Sequence, residues 1–154
     1  MIVACIGNDN FKWRTRTTRR FKKKITKLVK KDGARTFLFT GEGNFDLLCW
    51  VIITKLKGSY PDIKRVFAQT KDEDNDDDRK LVALMYEHTF LLDSVRDAQE
   101  MAETVRNEAM VGMCDMLVTY FNTKELQQTV RIRSYAELAM ECARENKKRV
   151  INLF

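Results

Sequence analysis

Residues 37–50 constrain the fold more than any other stretch. They read Phe-Leu-Phe-Thr-Gly-Glu-Gly-Asn-Phe-Asp-Leu-Leu-Cys-Trp. The run before Gly41 is apolar and β-favouring, while Phe45, Leu48, Cys49, Ile52 and Leu56 recur at helical spacing. A strand that feeds a helix through a glycine turn belongs to a parallel sheet, and ligands of such sheets sit at that junction. Gly41 and Gly43 can take backbone angles closed to other residues, and the unpaired N–H groups of the next helix face whatever docks there. An anion is the natural guest, although a G-x-G turn can equally be only a tight connection.

The rest of the chain repeats the unit. Residues 1–7 form a short apolar run ending in Gly7, read as a buried central strand, followed by the turn cluster Asn8, Asp9 and Asn10. A helix over 11–31 carries Trp13, Thr17, Phe21, Ile25 and Leu28 on one stripe, and Asp32-Gly33 stops it. Strands follow at 35–40 and 63–69, separated by a helix that Gly58 and Pro61 break. Leu81, Leu84, Met85 and His88 predict a short helix, 89–92 a minor strand, and 94–113 one long helix with Val95, Ala98, Ala102, Val105 and Ala109 on its buried face. A strand at 115–121, a polar loop at 122–129, a helix with Tyr135, Leu138, Ala139, Cys142 and Ala143 on one face, and a strand at 149–153 complete the order. The expectation is a single α/β domain over 1–154. It is a Rossmann-like three-layer sandwich whose mostly parallel sheet has about five strands and helices on both faces.

Charge is spread unevenly. Between Phe11 and Lys31 stand eleven lysines and arginines and no acid, and 72–78 holds six acids and one asparagine. The basic stretch can bind phosphates or be the solvated back of a core helix. The acidic stretch resembles a calcium loop only in Asp72, Asp74 and Asp76, because Asp77 stands where glycine is needed and Ala83 where the closing glutamate belongs. It reads as a solvated loop, and no metal is expected. Cys5, Cys49, Cys114 and Cys142 lack C-x-x-C spacing and suit reduced, buried thiols. The longest apolar run, 47–53, is too short to span a bilayer, and the first residues lack the features of a signal peptide, so a cytoplasmic protein without membrane contact is expected. His88 is the single histidine, which leaves Ser-His-Asp or Cys-His chemistry little support.

Several segments, in their order, resemble the YpsA-like branch of the SLOG superfamily. They are the strand ending in Ile6-Gly7, the glycine turn followed by Phe45-Asp46, and Tyr60-Pro61-Asp62-Ile63-Lys64 at a strand entry. Arg106-Asn107-Glu108-Ala109-Met110-Val111 near a helix end and the terminal Val150-Ile151-Asn152-Leu153 strand complete the set. The resemblance spans nearly the whole chain and implies a Rossmann-like fold with a pocket for a nucleotide or nucleotide-derived ligand at the carboxyl edge of the sheet. In the superfamily, LOG phosphoribohydrolases cleave the bond between base and ribose 5′-phosphate, and DprA proteins bind DNA. The chain departs from the pattern after Gly7, where Asn8 and Asp9 replace a Gly-His-Arg run, and before the last helix, where Ser134-Tyr135-Ala136 replaces a Ser-Gly-Thr turn. The LOG motif Pro-Gly-Gly-x-Gly-Thr is absent.

The candidate ligand-binding residues are Gly7, Asn8, Gly41, Glu42, Gly43, Asn44, Asp46, Arg106, Asn107, Tyr120, Asn122 and Ser134. Asp46 could meet a ribose hydroxyl or merely complement the helix dipole. Arg106 could reach the pocket or pair with Asp115 or a neighbour. Tyr120 could stack on a base or pack. Any phosphate is expected to depend more on the 41–44 turn than on the turn at Ser134, which keeps fewer exposed N–H groups. The first reading is a module that binds or senses a nucleotide-type small molecule without catalysis or cofactor. An alternative is a nucleotide N-glycoside hydrolase with Glu42 or Asp46 as general acid or base, and a second is nucleic-acid binding through the basic helix 11–31. Apolar helix faces can be buried within one subunit or between two, which leaves a homo-oligomer open.

Overall fold

The computed structural model describes residues 1–8, 11–123 and 133–154. Six strands form one sheet: β1 (Ile2–Cys5), β2 (Thr36–Phe39), β3 (Lys64–Ala68), β4 (His88–Phe90), β5 (Met116–Thr119) and β6 (Arg149–Asn152). Their order is β4-β3-β2-β1-β5-β6 and every pairing is parallel. Right-handed crossovers put α1 (Thr15–Lys30), α2 (Gly43–Lys57) and α3 (Asp76–Met85) on one face. The return from β4 to β5 passes through α4 (Asp93–Asp97) and α5 (Ala102–Met113), which with α6 (Tyr135–Glu145) cover the other face. The core divides accordingly. Val3, Cys5, Phe37, Phe39, Met116 and Val118 pack with Phe21, Ile25, Phe45 and Cys49, while Ala4, Ile6, Leu38 and Leu117 pack with Met110, Val111, Ala139 and Met140. That alternation along each strand is the period-two pleat seen from both sides. The Rossmann-like α/β sandwich expected from the sequence is therefore present, with six strands rather than about five.

The sixth strand is β4. It is three residues long, sits at the sheet edge, and exposes His88 and Thr89, so it lacks the apolar run that marks a buried strand. His88 thus begins a strand instead of ending a helix. The acidic run is not wholly a loop either. Asn75 caps α3 by accepting from the Asp78 N–H, and Asp76, Asp77 and Asp78 form the first helical turn, where the helix dipole favours them.

Two helices differ from their predicted extents. The basic helix starts at Thr15, not at 11, and Trp13 lies outside it, 47% exposed. Residues 94–113 are broken because Gln99 adopts a left-handed φ of 48° and Gln99–Met101 closes into a 3-10 turn. Restarting at Ala102 points α5 differently, so its buried residues are Arg106, Asn107, Met110 and Val111. In α6 the buried face is likewise rotated to Ala136, Glu137, Ala139, Met140 and Ala143. Most of the predicted 122–129 loop lies outside the described residues. No helix among the described residues is long and apolar enough to cross a membrane.

Candidate functional site

β1 and β2 are hydrogen-bonded neighbours that run in one direction, so Gly7 and the Gly41 turn lie at the same carboxyl edge of the sheet. Gly41 and Gly43 both need positive φ, 74° and 76°. Gly7 does not. A Cβ added there would lie 2.1 Å from Cγ of Phe45, so this glycine lets the Phe45 ring of α2 lie against the chain leaving β1. Gly7→Ala is expected to cost about 3 kcal/mol in urea unfolding, at the upper end of overpacking penalties. Gly43 has nothing within 4 Å of its Cβ position, and its alanine variant should lose only the roughly 1–2 kcal/mol of a left-handed residue. Equal losses in the two variants would refute this assignment.

The interior of the glycine turn is occupied by protein groups. Arg106, 2% exposed, donates from Nη1 to Glu42 Oε1 at 2.9 Å and to the Thr40 carbonyl at 3.3 Å. Its Nε donates to Asn107 Oδ1 at 3.1 Å. Of the two readings of Arg106, pairing is made, but with Glu42 rather than Asp115, whose carboxylate accepts from the Ile2 N–H; Arg106 also lines the crevice beside the turn. Asp46 is turned inward, where Oδ1 accepts from the Thr40 N–H at 2.9 Å and the Thr40 hydroxyl at 3.1 Å. Burial pushes its carboxyl up to about 7, against the opposite pull of hydrogen bonds from Thr40 and Gly41 and of the Arg106 charge. Asn44 points toward α1's approach: its carbonyl accepts from Trp13 Nε1 at 2.8 Å and its amide donates to the Phe11 carbonyl. What remains is a crevice of about 20 Å³ lined by Ile6, Gly7, Thr40, Glu42, Arg106, Asn107 and Tyr135. It has room for a single water.

Ser134 lies at the start of α6, where its hydroxyl accepts from the Glu137 N–H as an N-cap. The buried hydroxyl of Thr119, at the end of β5, has no hydrogen-bond partner among the described residues. The remaining three candidates stand elsewhere. Asn8, Tyr120 and Asn122 line a cleft of about 320 Å³ together with Phe11, Lys12, Arg14 and Phe154. This is the topological switch point: from β1 the chain steps outward to β2, β3 and β4, then returns to β5 on the other side. α1 follows β1 on one face and α6 follows β5 on the other, and open α/β sheets bind ligands in the crevice where the strand order reverses. Tyr120 is one wall, packed on Phe11 with ring centroids 4.8 Å apart and on Phe154 at 5.2 Å. The rim is cationic. Lys12 and Arg14 are exposed, and α1 begins behind them with no side-chain cap and no acid in its first turn.

Lys12, Arg14 and Phe154 were not among the residues predicted. For the two cations the signal was present, since they follow the central strand and precede a helix whose first turn has no acid. For Phe154 it was absent, because only the β5-β6 pairing brings it alongside Tyr120. No family model and no curated protein matches the chain.

Proposed function

We propose that this chain is a binding module for a nucleotide-type small molecule, belongs with the SLOG-like proteins it resembles, and holds its ligand in the switch-point cleft. The observation that carries this is the combination found there: an aromatic wall, a cationic rim and an uncapped helix start around about 320 Å³. That volume lies at the small end of ligand pockets and suits a mononucleotide or a piece of one. A phosphate would take the Lys12 and Arg14 charges and the free N–H groups of α1, and a base or ribose would lie toward Tyr120, Asn8 and Asn122. The hydrolytic alternative has less behind it, because Asp46 is buried on Thr40 and Glu42 is paired to Arg106. Neither carboxylate lines the cleft.

Calorimetric titration with nucleoside monophosphates and with inorganic phosphate tests the reading. Lys12→Gln and Arg14→Gln change exposed side chains, so folding should be unaffected. Each is expected to weaken nucleotide binding about tenfold, the scale of one charge-assisted hydrogen bond. A loss confined to Gly43→Ala would return the ligand to the glycine turn. Release of free base that disappears in Glu42→Gln would establish the hydrolase instead.

A further inference from the structure

The basic stretch is one surface. α1 buries Phe21, Ile25, Leu28 and Val29 and exposes every lysine and arginine it carries. Arg16, Arg20, Lys23, Lys27 and Lys30 follow one another at spacings of three or four, so a cationic stripe runs the length of the helix, about 24 Å at 1.5 Å per residue. Among the described residues none of the eleven cations from Lys12 to Lys31 is in an ion pair with a side chain. The acidic run differs. Asp72, Asp74, Asp76 and Asp77 pair with Arg96, Lys71, Arg79 and Lys80. Glu73 accepts from Gln69, and Asp78 from Asn75. The acidic run is therefore spent locally. Of the stripe only Arg20 is engaged among the described residues, donating to the Phe154 carbonyl oxygen at 3.0 Å, and the other four cations are left to an external polyanion. Its arrangement also opposes helix stability, because Lys12, Arg14 and Arg16 crowd the positive end of the helix dipole.

A second feature sits at the head of the stripe. Trp13 is 47% exposed, yet its indole N–H donates to the Asn44 carbonyl at 2.8 Å. The ring is thus held still with much of its surface in water. It forms one side of an open depression whose other members are Arg14, Thr15, Thr18, Arg19 and Lys22. Thr15, Thr18, Arg19 and Lys22 fall on one helical face. A fixed aromatic surface beside phosphate-binding cations is what an unpaired strand uses, with a base on the ring and the backbone on the charges. A duplex hides its bases from such a ring. A lipid surface could use the charges alone, since the apolar face of α1 is already buried in the core.

We propose that the α1 face, with Trp13 as a stacking platform, is a binding surface for single-stranded nucleic acid. It is separate from the small-molecule cleft, although Arg14 borders both. Labelled oligo(dT) and oligo(U) of roughly 15 nucleotides, a duplex of equal length, heparin, and vesicles containing phosphatidylserine would be titrated with the whole protein from about 50 mM salt upward. One or both single strands should bind at least about tenfold tighter than the duplex, heparin or vesicles, with a log–log salt slope near −3 for four or five neutralised phosphates. Trp13→Ala should weaken the single strand about tenfold and leave the duplex unchanged, and Trp13→Phe should recover most of the loss, because stacking does not need the indole N–H. Arg19→Gln combined with Lys22→Gln should flatten the slope by about 1.4. All of these positions lie outside the cleft, so nucleotide binding there should persist. No binding by folded protein at low salt overturns the proposal. So does equal binding of duplex, heparin or vesicles that ignores Trp13, since that would mark a generic polycation.

Discussion

Arg106→Ala is expected to lower the unfolding free energy by about 4 kcal/mol, within the range for emptying a large buried site. Arg106 is the largest fully buried side chain among the described residues, and of its three hydrogen-bond partners Thr40 and Glu42 lie together in the glycine turn while Asn107 is its neighbour in the chain. Removing it strips the Thr40 carbonyl and Asn107 Oδ1 of their donor while Glu42, whose side chain is 48% exposed, simply returns to water. The converse variant separates packing from charge. Glu42→Ala removes little buried area, yet it leaves a guanidinium buried with neutral acceptors only, so it should cost about 2–3 kcal/mol, far more than a half-exposed residue otherwise would. Arg106→Met fills most of the volume without a charge and should lose less than Arg106→Ala, with the remaining deficit set by Thr40 and Asn107. Urea unfolding of the three variants decides the matter. Losses below about 1 kcal/mol for both alanine variants would mean that the pair is a surface contact.

This pair also shows where the sequence stopped being legible. Arg106 and Glu42 were both singled out, but 64 positions separate them, and neither residue's neighbours say that they meet. The periodicity around Arg106 pointed to Val105 and Ala109 as the inner face, and the break at Gln99 turned the helix so that a charged residue went inside. A left-handed glutamine leaves no mark in a hydrophobic pattern. The strands at the centre of the sheet were legible for the opposite reason: β1, β2 and β5 are largely apolar runs covered on both faces, a condition written in their own residues. β4 was faint because an edge strand needs no such run.

The candidate site was legible in pieces. Strand ends gave Asn8, Tyr120 and Asn122, and the glycine turn gave Gly41, Glu42, Gly43, Asn44 and Asp46, and both groups stand at the carboxyl edge of the sheet. Which of the two groups surrounds usable space depended on side chains filling the turn from α5 and α2. Glycine at 41 and 43 guarantees an unusual backbone, not a vacancy.

Asp46→Asn is expected to change the pH dependence of stability rather than simply to weaken the fold. Asp46 titrates near 7 in the folded protein because burial disfavours its charge, against about 3.9 in an unfolded chain. Between these values the folded state holds a proton that the unfolded state has released. The contribution is therefore fully present below about pH 4 and is lost as pH rises through about 7. At about 1.4 kcal/mol per unit, the loss approaches 4 kcal/mol by about pH 8. Asparagine keeps an Oδ1 acceptor for the N–H and hydroxyl of Thr40 but gives up the contact from the Gly41 N–H, so near pH 4 the variant should be less stable by about 1 kcal/mol. Lacking the titration, it should then overtake the parent, and by about pH 8 it should be more stable by up to roughly 3 kcal/mol. Other carboxylates titrate alike in both proteins and cancel in the difference. Urea unfolding at intervals from about pH 4 to 8 gives that difference directly. Parallel curves would mean that Asp46 is ionised throughout, and that the hydrogen bonds from Thr40 and Gly41 outweigh burial at the turn where β2 meets α2.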